Sequence, residues 1–232
     1  MKKILDHGFI RLVESMGDDN SAVQAARVSI GKGLKGEGPD KLLIKYLMDN
    51  SHETPFEHIV FKFHIKCPLF VARQWFRHRI ASYNEISYRY TEAEREFYSP
   101  EIYRSQSKGF NKQDSTITFS KEISREFKQR IDMHNQKSLH LYNSLLHEGV
   151  AREMARMVLP VNLYTQFYWT INARSLMNFI RLRSDPAAQF EIRQYSLAIE
   201  DIFKEKCPWT YDAFREKNNV RSNPPVTSIP KV

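Results

Sequence analysis

Between positions 77 and 90 the chain reads RHRIASYNEISYRY, and no other stretch crowds together so many groups able to hold an anion and a heterocycle. Pro68 suits the first position of a helix, and Leu69, Ala72 and Phe76 would give that helix a core-facing stripe. Gln74, Arg77 and His78 then share one helical face at i, i+3, i+4 spacing. Glu85, Ser87 and Arg89 alternate, so an extended backbone would point all three the same way. Helix end plus strand supplies two guanidinium forks, an imidazole, an amide, a carboxylate and a hydroxyl, a set suited to a phosphorylated, hydrogen-bonding ligand. Taken singly, a basic residue here is more often a solvated charge or a cation answering a helix C-terminus.

A catalytic nucleophile is harder to find. Cys67 and Cys207 each stand in a Lys-Cys-Pro triplet with no adjacent base, which reads as a buried structural thiol. Two cysteines without paired spacing also fall short of a zinc site, and no metal is expected. Ser87 would need an imidazole partner and an oxyanion cradle, so it is assigned to hydrogen bonding a ligand. Residues 52–58, HETPFEH, mimic a metalloprotease box, but Pro55 breaks the register that two ligating histidines need. A turn capped by Glu53 or Thr54 and a ligand role both stay open there. Later in the chain, Arg152 and Arg156 share a face before Pro160. Asn172 can cap a helix carrying Arg174 and Asn178 one turn apart, and Arg183 sits where that helix gives out.

Arg77, His78 and Arg79 followed by Ser87, extended through Asn84, Glu85, Arg89 and Tyr90, resemble the signature of the flavin-dependent thymidylate synthases. The run NARSLMN at 172–178 is similar to that family's second block, and the resemblance covers about residues 8 to 213. It implies reductive methylation of dUMP to dTMP without an enzyme nucleophile, with methylenetetrahydrofolate as one-carbon donor and NADPH-reduced FAD as hydride source. It implies that Gln74, Arg77, Glu85, Ser87, Arg89, Arg156 and Arg183 hold dUMP. FAD would be held by Thr54, Arg77, His78, Arg79, Glu85, Asn172, Arg174 and Asn178, with His52 and Tyr90 on the folate side. Arg183 is the catalytic residue in this reading, because a permanent cation beside the uracil ring amide stabilises the electron-rich ring. A homotetramer with shared sites is also implied, Arg156 reaching the nucleotide phosphate from an adjacent subunit. Tyr88 and Ala187 depart from the pattern: relatives often carry a smaller residue at the first position, and some offer a histidine at the second.

Positioning these groups calls for an α/β (α+β) fold of one domain, a mixed twisted sheet flanked by long helices. Residues 8–16 and 59–65 alternate as strands, and 163–171, rich in aromatic and β-branched residues, reads as a central strand. Ser21 is placed as the cap of a short helix through Arg27, and Pro39 and Asp40 start another. A long helix from about Ser120 carries Ile123, Phe127, Ile131, Ser138, Leu141 and Leu145 in one stripe and ends at Gly149. Asp185 and Pro186 open the last long helix, whose core stripe is Ala188, Ile192, Tyr195, Ile199 and Ile202. Gly31, Gly33, Gly36 and Gly38 read as flexible punctuation in a charged loop. Residues 91–119 lose periodicity and read as a mobile surface excursion without chemistry of its own; the catalytic domain is set at 1–217 and a disordered tail at 218–232.

A chain of 232 residues, 41% hydrophobic and 12% aromatic, is enough for one full core and excludes wholesale disorder. The absence of a long apolar run or a charged-then-apolar leader points to a cytoplasmic protein with no membrane partner. A net charge of +8 and a pI near 9.4 favour anionic partners without choosing among them. A single-stranded nucleic-acid binder would stack bases on Trp75, Tyr83, Tyr88 and Tyr90, and a non-catalytic nucleotide sensor is a third reading. The clustered motif arginines favour a discrete small-molecule site over a nucleic-acid polymer.

Overall fold

The computed structural model describes residues 1–106 and 117–222, with side chains as far as residue 218. Two strands rich in aromatic and β-branched residues, β3 (Val60–Pro68) and β5 (Tyr164–Asn172), lie side by side and pair along their whole length. β2 (Gly8–Met16) flanks β3 and forms a hairpin with the short β1 (Lys2–Ile4), while β4 (Ser82–Glu85) closes the far edge on β5. The order is β1-β2-β3-β5-β4. The α/β class and the flanking helices agree with the sequence, but every strand pairing is antiparallel, so the sheet is not mixed. After β3, α3 (Leu69–Trp75) turns the chain so that β4 lands beside β5 and not beside β3.

Alternation sorts the two faces. Ile10, Phe61, Phe63, Ile65, Phe167, Trp169 and Ile171 point to one side and are fully buried or nearly so. Two helices, α6 (Ala173–Arg183) and α7 (Phe190–Lys206), complete that core with Phe179, Ile180, Ile192, Tyr195 and Ile199. Burying each such side chain contributes about 1.5–3 kcal/mol. The approach of α7 to the sheet depends on Gly8, since a Cβ there would sit 1.9 Å from the Tyr195 hydroxyl, which donates to Lys66 O at 2.7 Å.

Several helix ends differ from expectation. The cap of α1 (Asp19–Arg27) is Asp18, whose carboxylate accepts from Ser21 N; Ser21 returns the bond to Asp18 N as the third helical residue. After α1 the glycine loop is held, not loose. Arg27 and Asp40 form a buried ion pair, Arg27 also donates to Gly33 O, and Asp40, near the start of α2 (Glu37–Asp49), accepts from Lys35 N and Gly36 N. The chain enters α7 at Phe190, not Pro186; Asp185 instead folds a turn by accepting from Ala187 N. A further helix, α8 (Pro208–Ser222), follows it, so residues 218–222 belong to a helix and the remainder of the expected tail, 223–232, lies outside the described residues.

The long helix α4 (Lys121–His147) begins where expected, capped by Ser120, but of the expected stripe only Ser138 is buried. Ser124, Asn135, Ser138 and Tyr142 are buried, whereas Ile123, Ile131 and Leu141 are exposed. Small polar side chains let neighbouring backbone come close: Ser124 accepts from Tyr103 N, Ser138 donates to Val158 O, and Tyr142 accepts from Ala93 N. Residues 91–106 are therefore no loose excursion. Ala93 and Tyr98 are buried, and Glu94 and Glu96 both pair with Lys66 on β3. Residues 107–116 of the expected excursion lie outside the described residues.

Candidate functional site

The motif helix α3 ends at Trp75, earlier than the spacing suggested. Side chains reach its last carbonyls in place of another helical turn: Arg183 Nη2 donates to Gln74 O at 3.2 Å, and Tyr83 OH, whose single proton is shared, donates mainly to His78 O at 2.7 Å and also approaches Trp75 O at 3.2 Å. Gln74 is thus helical, while Arg77 and His78 lie beyond it in a turn that carries them away from its face. The expected strand through Glu85, Ser87 and Arg89 also stops short. Ser87 O accepts from Tyr90 N and Thr91 N, so the chain turns there. Tyr88 points inward, 6% exposed, and donates to Tyr164 O at 2.7 Å. The bulk that departs from the family pattern is absorbed by the second apolar cluster with Tyr142, Ala155 and Leu163.

One cavity of about 810 Å³ gathers Arg77, His78, Arg79, Asn172, Arg174, Asn178 and Arg183. Asn172 caps α6 by accepting from Ser175 N at 2.9 Å, and this fixes the helix that carries Arg174, Asn178 and Arg183. Arg183 Nε donates to His78 Nε2 at 2.9 Å, so His78 is neutral with its proton on Nδ1. Burial and the Arg183 charge pull the His78 imidazole down to about 4, and burial also lowers Arg183. Arg174 is held by Glu53 at 3.0 Å and Glu57 at 2.5 Å, both on or beside the 3-10 turn Thr54–His58. That turn matches the expected one, but Glu53 bonds Arg174 and makes no cap. Six cations, including Arg181 and Lys217, face two carboxylates around this cavity.

The remaining expected residues lie elsewhere. Thr54 and His52 are exposed near the cavity's acidic wall, His52 set edge-on to Tyr46. Glu85 accepts from Thr165 Oγ1 at 2.6 Å and borders a smaller pocket of about 270 Å³. Arg89 pairs with Glu153 at 3.1 Å on α5 (Arg152–Ala155), and Arg156 Nε donates to Glu153 O. Tyr90 is 77% exposed, its ring under the Arg89 guanidinium. Gln74 donates to Gln189, a residue that sequence reasoning missed together with Glu57 and Arg181. No local signal marks Gln189 or Glu57, whose partners Gln74 and Arg174 are more than a hundred residues away, whereas Arg181 bonds Asn178 only three residues earlier.

Neither thiol is poised to attack. Cys67 and Cys207 are fully buried, and burial pushes both well above the usual thiol range. Ser87 Oγ accepts from Arg89 N at 3.3 Å and has no imidazole partner among the described residues. Nor do the described residues contain a cluster of three or more His, Cys, Asp or Glu placed to hold a metal. A cavity of this size, walled by guanidinium and amide donors with Ile171, Met177 and Phe214 among its apolar lining, has the chemistry to suit a phosphorylated, planar cofactor or nucleotide.

The chain belongs to the family described as thymidylate synthase complementing protein, which its residues 11–209 match. It is 58% identical over 212 residues to a flavin-dependent thymidylate synthase of Thermosipho africanus, covering 91% of this chain and 92% of that protein. A flavin-dependent thymidylate synthase of Thermus thermophilus is 53% identical over 213 residues, 92% of this chain and 77% of that one. Among solved structures, the UMP/dUMP methylase PolB from Streptomyces cacaoi bound with 5-Br dUMP superposes with a TM-score of 0.84. That likeness, at 32% identity, covers 93% of this chain and 97% of PolB.

Proposed function

We propose that this protein is a flavin-dependent thymidylate synthase that methylates dUMP to dTMP. Methylenetetrahydrofolate is the one-carbon donor and NADPH the reductant. The observation that carries the reading is the convergence of Arg77, His78 and Arg79 with Asn172, Arg174, Asn178 and Arg183 on one cavity, in a chain whose two cysteines are sealed in the core. FAD fits this donor set: the arginines match a pyrophosphate, and Asn172 and Asn178 offer amides to a hydrogen-bonding ring. When bound, the reduced flavin supplies the hydride that completes the methyl group.

The chain's own residues bind, orient and polarise. Arg183, anchored on His78 and on Gln74 O, presents a fixed cation at the cavity's edge, where it stabilises the electron-rich uracil ring. Gln74, Arg77, Glu85, Ser87, Arg89 and Arg156 are assigned to dUMP, Thr54 and Glu85 join the flavin set, and His52 and Tyr90 are assigned to the folate side. In the single chain Arg89 and Arg156 meet at Glu153, apart from the cavity. A homotetramer in which Arg156 crosses to a neighbour's site reconciles these positions. No helix among the described residues is long and apolar enough to cross a membrane, and we assign the enzyme to the cytoplasm.

Purified protein should carry visible flavin absorbance that NADPH bleaches, and should form dTMP only when dUMP and methylenetetrahydrofolate are both present. Colourless protein that binds single-stranded nucleic acid with steep salt dependence would overturn the reading.

A further inference from the structure

We propose that Glu191 is a positioning residue for nucleotide binding, acting through Gln189 to fix which end of the Gln74 amide is offered to the substrate. The inference rests on the assignment of Gln74 to the dUMP site. Glu191 stands in the first turn of α7 and is 3% exposed. One carboxylate oxygen accepts from Tyr98 OH at 3.0 Å and Arg104 Nη2 at 2.6 Å; the other accepts from Gln189 Nε2 at 2.9 Å. Gln189 Oε1 in turn accepts from Gln74 Nε2.

A carboxylate paired with a guanidinium only accepts, and this gives the chain of bonds a direction. Gln189 must present its NH2 to Glu191 and its carbonyl to Gln74, because the reversed amide would set two acceptors face to face. Gln74 therefore commits one N–H to Gln189 and keeps its carbonyl oxygen and second N–H for a ligand. A lone glutamine would sample both orientations; this one is held in a single sense by a buried charge two side chains away. Its backbone is fixed as well, since Gln74 O accepts from Arg183. The same geometry explains why residues 97–106 are anchored: they deliver Tyr98 and Arg104 to Glu191.

The test compares dUMP KM and kcat, and calorimetric dUMP binding, in the flavin-loaded enzyme and its variants. Gln189→Leu should raise KM for dUMP roughly five- to twentyfold, the loss of one oriented hydrogen bond, with kcat within about twofold and flavin content unchanged. Glu191→Gln should shift KM in the same direction, because its amide accepts either orientation of Gln189. In the Gln189→Leu background, Glu191→Gln should add nothing further to KM, a non-additivity that a merely structural role for Glu191 would not produce. Should Glu191→Gln fail to fold, Gln189→Asn, too short to span both partners, should reproduce the KM shift alone. Unchanged KM and dUMP affinity in Gln189→Leu, or additive shifts in the double variant, overturn the relay. Wild-type protein that binds dUMP but forms no dTMP overturns the proposed reaction instead, and the binding measurement still decides the relay.

Discussion

Arg183 and His78 share a hydrogen bond that only one protonation state of the imidazole permits, since Nε2 must be an acceptor for the Arg183 Nε–H. Folded, the imidazole titrates near 4; unfolded, near the ordinary value of 6.5. Between those values the unfolded chain holds a proton that the folded one refuses, so stability falls as pH drops from about 6.5 toward 4. His78→Gln keeps an acceptor that does not titrate, and its melting temperature should vary less over that window than the wild type's. Equal slopes would show that His78 is not the group responsible. Arg183→Ala should retain flavin yet lose turnover by roughly a hundredfold, the scale of removing a charge aimed at a reacting centre. Unaltered turnover would withdraw Arg183 from the chemistry. Residue types were readable here, because arginine-rich spacing and a lack of nucleophile partners are local facts. The Arg183–His78 bond was not, since it joins positions 105 residues apart.

At the scale of elements, local signals succeeded where the chain satisfies itself and failed where distant groups do so. The strand at Gly8–Met16, the start of α4 near Ser120 and the Asn172 cap follow from sequence alone, because alternation and side-chain capping are short-range. The end of α3 does not, because Tyr83 and Arg183 take carbonyls that another helical turn would have used. The glycine loop was misread for the same reason. Arg27 on α1 and Asp40 on α2, 6% and 2% exposed, close it from both sides with a bridge of 2.5 Å. Asp40→Ala would strand the Arg27 charge and should cost about 3–5 kcal/mol in urea unfolding, whereas replacing both partners with apolar residues of similar volume should cost far less. A single variant within about 0.5 kcal/mol of wild type would mean that the pair is solvated and the loop is held by other contacts.

For the whole molecule, the telling feature is the apolar surface that one chain leaves open. Ile123, Ile131, Met133 and Leu141 on α4 are all at least 36% exposed, and Met154 and Met157, just beyond it, are 53% and 73% exposed. The sequence assigns α4's apolar stripe to scaffold at a subunit interface, and in the single chain Ile123, Ile131 and Leu141 of that stripe are exposed, since periodicity reports an apolar face without saying what covers it. A second copy of the chain is the proposed cover, and it also answers a problem of distance. Arg89 and Arg156 sit together on Glu153, away from the cavity that holds Arg77 and Arg183, so a phosphate grip using both groups requires a neighbour. Ile131→Glu combined with Leu141→Glu introduces charge on the solvent side of α4 without touching its buried line, so the isolated chain should keep its helicity by circular dichroism. Light scattering should then report a smaller species than wild type, and dTMP formation should fall together with assembly. Full activity in a chain shown to be monomeric would require the complete site to lie within one subunit, and the shared-site architecture would have to be abandoned.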